Sequence, residues 1–430
     1  MNKNTQSKNF KFIRTVANIS EYQLRSNGLI VLYKHIPDTD IVTTNLTYLV
    51  GSRDEQIGES GVAHMLEHMM FKPTKVDLSK KKDAETLNFE REVGTLLNAN
   101  TWRDRTTYYF SYPTEHFNRA IRIEAERMRD VTLTDREFLP ERTNVLSEYD
   151  MYNGDPHFAI NELMTCTAFI SHNYGHETIG FREDISSYTI EKLERFYNHF
   201  YRPNNAVLMV IGDIDENIAL QTIANNFKHI EPEPNVNVRE KITEPSQEGI
   251  RRVEIVRPGK TNILAIGFKH PGFPTKGWFE TMLILKLLTE GSEGILNKRL
   301  IDTGLASNIS VSQSPSKDMD LGTIFITLSS KTSHTKMEEL VRKIIDSLTA
   351  SMIQKQLKPI IKKVIAEEVF KRDSSLDIAA ELTEYVASGD WVEYTKTKDT
   401  LNSITAKQIM ERLKNLFIDK NLTIGSYKSI

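Results

Sequence analysis

Between residues 228 and 249 the chain loses its apolar periodicity and takes up Pro232, Pro234 and Pro245 among Asn, Glu and Ser, the composition of a connection between folded bodies. Similar elements recur in the same order on either side. Before the break, 22–24 and 29–33 read as strands around an Asn27-Gly28 turn, a dipeptide that accepts positive φ at both positions. Residues 42–50 alternate, with Val42, Thr44, Leu46, Tyr48 and Val50 on one face. The pattern turns helical near Gly61, then reads strand at 107–112, amphipathic helix at 115–129 and buried strand at 207–211. After the break come a strand pair (252–256, 263–268), a helix (279–288) and strands at 309–313 and 323–328. The repetition predicts an α+β fold of two similar domains, each a largely antiparallel sheet with helices packed on one face, forming a clamshell. The expected division is 1–228, a linker at 229–249, and 250–430. Length agrees, because 430 residues exceed what one hydrophobic core usually sustains.

Charge and composition exclude several classes. With 55 Lys+Arg against 58 Asp+Glu the formal charge is -3, without the basic excess of a nucleic-acid footprint. No run approaches the ~18 apolar residues of a membrane span. Cys166 stands alone, so no intramolecular disulfide ties the chain to an oxidising compartment. The start is basic (Lys3, Lys8, Lys11, Arg14) with no acid before Glu21, yet no apolar segment of the signal-peptide kind follows. A cytoplasmic location is expected; the basic, acid-free start leaves the mitochondrial matrix as the alternative.

From Gly61 to Phe71, Val62, Met65, Leu66, Met69 and Met70 fall on one apolar stripe, so His64, Glu67 and His68 face the other way with the imidazoles one turn apart. Such a face is either a solvated surface or the start of a cation site. Two neutral imidazoles suit Zn²⁺, whose catalytic sites take three protein ligands and keep a fourth position open. The arrangement His-x-x-Glu-His would set Glu67 beside that open position as general base. A third ligand should be a carboxylate on a neighbouring element. Glu141 and Glu148 lie two helical turns apart on nearly one face, and by themselves read more readily as an ordinary solvated helix face. Pro140 is accommodated if it occupies the first turn of that helix.

The segment Gly61-Val62-Ala63-His64-Met65-Leu66-Glu67-His68-Met69-Met70-Phe71-Lys72 resembles the zinc helix of the pitrilysin-type metallopeptidases, which include the mitochondrial processing peptidases and bacterial half-length relatives. Asn98-Ala99-Asn100-Thr101 with Tyr108-Tyr109-Phe110, Tyr174-Gly175-His176, Ile179-Gly180 and Tyr201-Arg202-Pro203-Asn204-Asn205-Ala206 are similar to further landmarks of that family. The resemblance implies one zinc ion per chain held by His64, His68 and Glu148, with Glu67 as general base and Glu141 as a second catalytic carboxylate that supports the site. It also implies that Asn98, Ala99, Asn100 and Thr101 form an edge strand on which an extended peptide substrate pairs. Glu148 follows His68 by 80 positions, a few more than is usual in the family, and the charged stretch Lys80-Lys81-Lys82-Asp83 can hold the excess.

One departure bears on function. Gly304-Leu305-Ala306 resembles a family segment in which Arg precedes and Tyr follows, both holding substrate; here those places are taken by Thr303 and Ser307. Neither side chain replaces the lost fork or reach. The expected activity is a zinc endopeptidase cleaving peptides or short unfolded segments. The chain would be the zinc-bearing subunit of a heteromeric peptidase whose partner supplies Arg and Tyr, a self-sufficient homodimer, or a non-catalytic peptide-binding scaffold. The intact metal set opposes the scaffold, and the missing pair favours the heteromer.

Overall fold

A computed structural model describes residues 8–236, 242–330, 332–370 and 372–430. Lys3 of the basic start and residues 237–241 of the expected linker lie outside the described residues. Seven strands, β1 (Phe10–Val16), β2 (Ile19–Leu24), β3 (Ile30–His35), β4 (Ile41–Tyr48), β5 (Leu96–Thr101), β6 (Thr106–Pro113) and β7 (Ala206–Gly212), form one sheet in the order β1-β2-β3-β7-β4-β6-β5. A second sheet holds β8 (Arg251–Arg257), β9 (Ile263–His270), β10 (Ala306–Ser312), β11 (Asp320–Leu328) and β12 (Leu422–Ser429) in the order β10-β11-β9-β12-β8. Each sheet is antiparallel apart from one parallel pair, β3 with β7 and β8 with β12. The helices used below are α1 (Val62–Met69), α2 (Phe117–Asp130), α3 (Asp135–Asn153), α4 (Pro156–Ala168), α5 (Lys276–Thr289) and α6 (Ser375–Ser388).

The strands follow the alternation of the sequence, and the mixed α/β fold with two sheets is the expected one. Two local expectations change. The β2–β3 connection takes positive φ at Gly28, but Asn27 does not. Its carboxamide instead donates to the carbonyls of Phe227 and Ile230 at 2.7 and 3.0 Å, tying the turn to the end of a distant helix. Pro140 does not open its helix: α3 begins at Asp135, so the proline sits in the second turn. The carbonyl left without its helical partner is that of Arg136, an exposed residue, so water can satisfy it.

The described contacts group the chain into two compact units that are not contiguous in sequence. The first is Met1–Glu148, Glu177–Lys241 and Lys371–Thr395; the second is Tyr149–His176, Ile242–Phe370 and Lys396–Ile430. The boundary expected at 229–249 therefore separates the sheets but not the helices. In the second unit, α4 packs on β8, β9 and β12 through Ile160 and Met164, which are fully buried. Gly267 and Gly425 make that approach possible. A Cβ on Gly425 would lie 2.5 Å from Met164 Sδ, and one on Gly267 2.8 Å from Met164 Cε. Burying each of those two side chains contributes roughly 1.5–3 kcal/mol. Also in this unit α5 supplies an apolar face, with Leu283, Ile284 and Leu288 buried.

In the first unit, β4 is buried on both faces. Leu46 and Tyr48 face an aromatic layer in which Tyr48 packs against Tyr108 and Tyr201. The opposite face carries Thr43, Asn45 and Thr47, and α6 covers it: Asn45 Nδ2 donates to Thr383 Oγ1 at 3.1 Å, and Thr43 Oγ1 lies 2.7 Å from Ser375 Oγ. A helix thus covers the polar face of the strand as well. The expected linker is likewise not free along its length, because the Glu244 side chain is only 2% exposed and is bound by three backbone amides of residues 170–172.

Candidate metal centre

The centre belongs to the first unit. On α1 the residues Val62, Ala63, Met65, Leu66 and Met69 are buried, which leaves His64, Glu67 and His68 on the other side of the helix, with Glu67 within reach of Thr101 on β5. Glu148 comes from α3, 80 positions along the chain from His68. Its Oε2 lies 3.9 Å from His64 Nε2 and 3.6 Å from His68 Nε2, and one ligand atom from each of the three residues falls within 4.8 Å of the others. A tetrahedral site with bonds of ~2.1 Å needs donors ~3.4 Å apart, so the two distances to Glu148 are close to the requirement. Two imidazoles and one carboxylate are also the donor chemistry that zinc accepts with a position left open. The residues fit the ion.

Outer contacts hold the ligands. His68 Nδ1 lies 3.3 Å from Glu141 Oε2, which leaves Nε2 directed to Glu148. The other oxygen of Glu141 accepts from Lys72 Nζ and, at 3.2 Å, from Asn144 Nδ2. Glu141 thus links His68 to Lys72 and Asn144. Lys72 and Asn144 were not singled out from the sequence. The available signal for Lys72 was its spacing, four after His68 as His68 is four after His64. Among the described residues Nδ1 of His64 is buried with no hydrogen-bond partner, in contrast to His68.

The two imidazoles differ in proton affinity. His64 is lowered to about 4 by burial and by its neighbour His68, with Glu148 opposing, so at neutral pH the ring is uncharged and ready to donate a lone pair. Burial also opposes charge on His68, but its bonds to Glu141 and Glu148 prevail and raise it to about 9. Glu141 is lowered to about 2, chiefly by the bond from His68 and then by Lys72, against the effect of burial. Glu67 is raised by burial, with the hydroxyl of Thr101 donating to Oε2 and working against the shift.

Asn98, Ala99, Asn100 and Thr101 lie on β5, the edge strand of the seven-stranded sheet, and among the described residues its outer side carries no paired strand. Thr101 joins this strand to Glu67, and Asn100 Oδ1 accepts from Arg105, whose buried guanidinium also reaches Glu384 on α6. Asn98 Oδ1 accepts from Ala99 N at 2.9 Å. The segment 80–83 is an exposed loop, as the long spacing from His68 to Glu148 suggests. Thr303 and Ser307 belong to the second unit, where each donates to backbone: Thr303 Oγ1 to Arg299 at 2.8 Å, Ser307 Oγ to Thr327 at 3.4 Å. Among the described residues His64, His68 and Glu148 form the one group of three possible ligands whose donor atoms lie close enough to share an ion. No helix among them is long and apolar enough to cross a membrane.

Known proteins resemble this chain over most of its length. Residues 30–181 match the model of the insulinase family (peptidase family M16), and residues 187–364 match the model described as the peptidase M16 inactive domain. All three candidate ligands fall in the first range. The zinc protease PqqE of Helicobacter pylori is 28% identical over 380 residues, 85% of this chain and 82% of that one. An "uncharacterized zinc protease" of Rickettsia bellii is 24% identical over 406 residues, 91% of this chain and 93% of that one. The crystal structure of a protease from Helicobacter pylori superposes with a TM-score of 0.89 at 25% identity, covering 96% of this chain and all of that one.

Proposed function

The chain belongs to the insulinase-type M16 peptidase family, and on that premise we propose that it is a zinc-dependent endopeptidase with one zinc ion on His64, His68 and Glu148. The observation that carries this reading is the convergence of the three donors from α1 and α3, with Glu67 on the same helix and near enough to His68 and Glu148 for their charges to act on it. Bound there, zinc would polarise a scissile carbonyl and lower the pKa of its water toward ~7. Glu67 takes the proton from the attacking water and passes it to the departing amine; its raised proton affinity suits a group that must hold that proton in between. Thr101 orients the Glu67 carboxylate and belongs to β5, so base and substrate-pairing strand are held in one register. An extended peptide would add to the open side of β5 by backbone pairing. Glu141, held by Lys72 and Asn144, keeps His68 Nε2 turned to the metal position.

The test separates metal from chemistry. Glu67→Gln should keep zinc in elemental analysis and lose peptide hydrolysis by about 10²–10⁴-fold, the usual share of a general base. His64→Ala and Glu148→Gln should lose the metal. Full activity in Glu67→Gln, or a wild-type chain that takes up no zinc, refutes the reading.

The occupants of the Arg and Tyr positions favour a heteromeric form of this function. Thr303 and Ser307 are turned to their own backbone, so a partner with a matching second domain would supply substrate-holding groups. The purified chain should then cleave slowly and gain rate from a family relative that has Arg and Tyr but lacks His-x-x-Glu-His, the two eluting together in size-exclusion chromatography. Efficient cleavage by the single chain overturns the partner.

A further inference from the structure

α1 carries both histidines on only eight residues, and its N-cap residue has no side chain to cap it. The N-cap is Gly61 at φ 89°, a conformation that favours glycine, and His64 lies in the first turn. The amides that a cap would satisfy are taken from elsewhere. Glu55 Oε2 accepts from Gly61 N at 2.8 Å and Oε1 from Ala63 N at 2.9 Å, and the residue is 4% exposed. On the other side Asp184 Oδ2 accepts from Ser60 N at 3.1 Å and from Ser60 Oγ at 2.6 Å, while Ser60 Oγ accepts from Phe181 N at 2.9 Å. Tyr188 donates its hydroxyl to the carbonyl of Ser60.

No slack remains between these segments. A Cβ on Gly180 would fall 2.1 Å from Ser60 O, and one on Gly61 2.2 Å from Ile179 O. A carboxylate that spans the amides of residues 61 and 63 restrains both the rise and the rotation of the first turn, because those amides point to different sides of the axis. Negative charge there also complements the helix dipole. Burial holds the proton affinity of Glu55 well above the usual carboxylate range, with the two amides opposing it only in part; because both oxygens are engaged as acceptors, the carboxylate is nevertheless the form the geometry fits.

We infer that Glu55 and Asp184 are positioning residues for the metal centre, two carboxylates that cradle the N-terminus of α1 and thereby set the direction in which His64 and His68 present their nitrogens. The inference rests on the zinc reading for its function, but the cradle itself exists without metal. In Glu55→Gln an amide nitrogen faces one of the backbone N–H groups, so one bond is lost and two donors oppose each other.

The experiment uses the full chain, with competition against a chromophoric chelator for zinc affinity and absorption of the Co²⁺-loaded protein for ligand geometry. Glu55→Gln should bind zinc about 10–100-fold more weakly, the effect typical of outer-shell partners, and shift the cobalt bands. Its kcat should fall with KM little changed. In the metal-free protein, amides 61–63 should exchange about tenfold faster, as expected when a helix cap is removed. Asp184→Asn should show the same changes to a smaller extent. A folded Glu55→Gln with zinc affinity within twofold of wild type and unchanged exchange overturns the inference. If Glu55→Gln does not fold, Asp184→Asn decides by the same criteria. A wild-type chain without zinc would refute the proposed function, and exchange alone would then decide the cradle.

Discussion

Removing the charge from Glu141 measures how much of the zinc affinity resides outside the ligands. Glu141→Gln replaces a carboxylate that accepts from His68 Nδ1 at 3.3 Å and neutralises Lys72. A hydrogen bond to a charged group contributes about 1.5–3 kcal/mol, and the length of the His68 contact favours the lower end. The glutamine oxygen can still accept from His68 as a neutral group, but Lys72 is then left uncompensated near the cation. About 1.5 kcal/mol is a factor of roughly ten in affinity, and the full range reaches about a hundredfold. Chelator competition at constant pH and ionic strength reads this directly. Asn144→Ala, which removes a 3.2 Å bond to the far oxygen, should cost no more than about threefold. Zinc affinity of Glu141→Gln within twofold of wild type, while Glu148→Gln abolishes binding, would show that His68 is oriented by other means.

Three further outcomes follow from the packing. Gly425→Ala brings a methyl against Met164 and Ile160 and should cost about 1–3 kcal/mol in urea unfolding, partly recovered by Met164→Ala; an unchanged midpoint would deny that α4 seats so closely on β12. A protease site engineered between Val236 and Ile242 should yield two fragments that co-elute until denaturant is added, since α4 and α6 each pack in the unit opposite to their half of the chain; separation under native conditions contradicts the division. Burial pushes the Glu244 carboxyl up, but the amides of Ser171, Ile170 and His172 and the ammonium of Lys269 outweigh it and hold it below the usual range. Its stabilisation is therefore complete above the unfolded value near ~4.3 and is lost as pH falls through the lower folded value. The melting-temperature gap between wild type and Glu244→Gln should be widest above about pH 5 and close on acidification; a gap independent of pH would refute the assignment.

Much of the site was legible because its signal is local. The stripe Val62, Met65, Leu66, Met69 forces His64, Glu67 and His68 to the opposite face of one short helix, and Glu141 and Glu148 share a face by the same 3.6-residue arithmetic. The alternation at 42–50 likewise announces β4. What surrounds these residues was not legible. Glu55 and Asp184 reach the first turn of α1 from residues 6 positions before it and 124 positions after Ser60, and no periodicity marks either one. Pro140 shows the limit even within a helix, since its tolerance at the second turn depends on the exposure of Arg136.

The amino-acid pattern by itself determined the elements, the two-sheet plan and the face that carries His64, Glu67 and His68, because each depends on which side of a helix or strand a residue occupies, while the choice of Glu148 as third candidate ligand came from the family resemblance. Only the tertiary structure decided which elements share a core. Thr43, Asn45 and Thr47 are an outward face by pattern, yet α6, more than 300 positions later, pairs with them through Thr383 and Ser375 and reaches Arg105 through Glu384. α4 leaves its own half to pack on β12 where Gly267 and Gly425 leave room. Long-range choices of this kind turn on the match of two surfaces, hydroxyl to amide or methionine to glycine, and neither partner carries a record of the other in its local sequence.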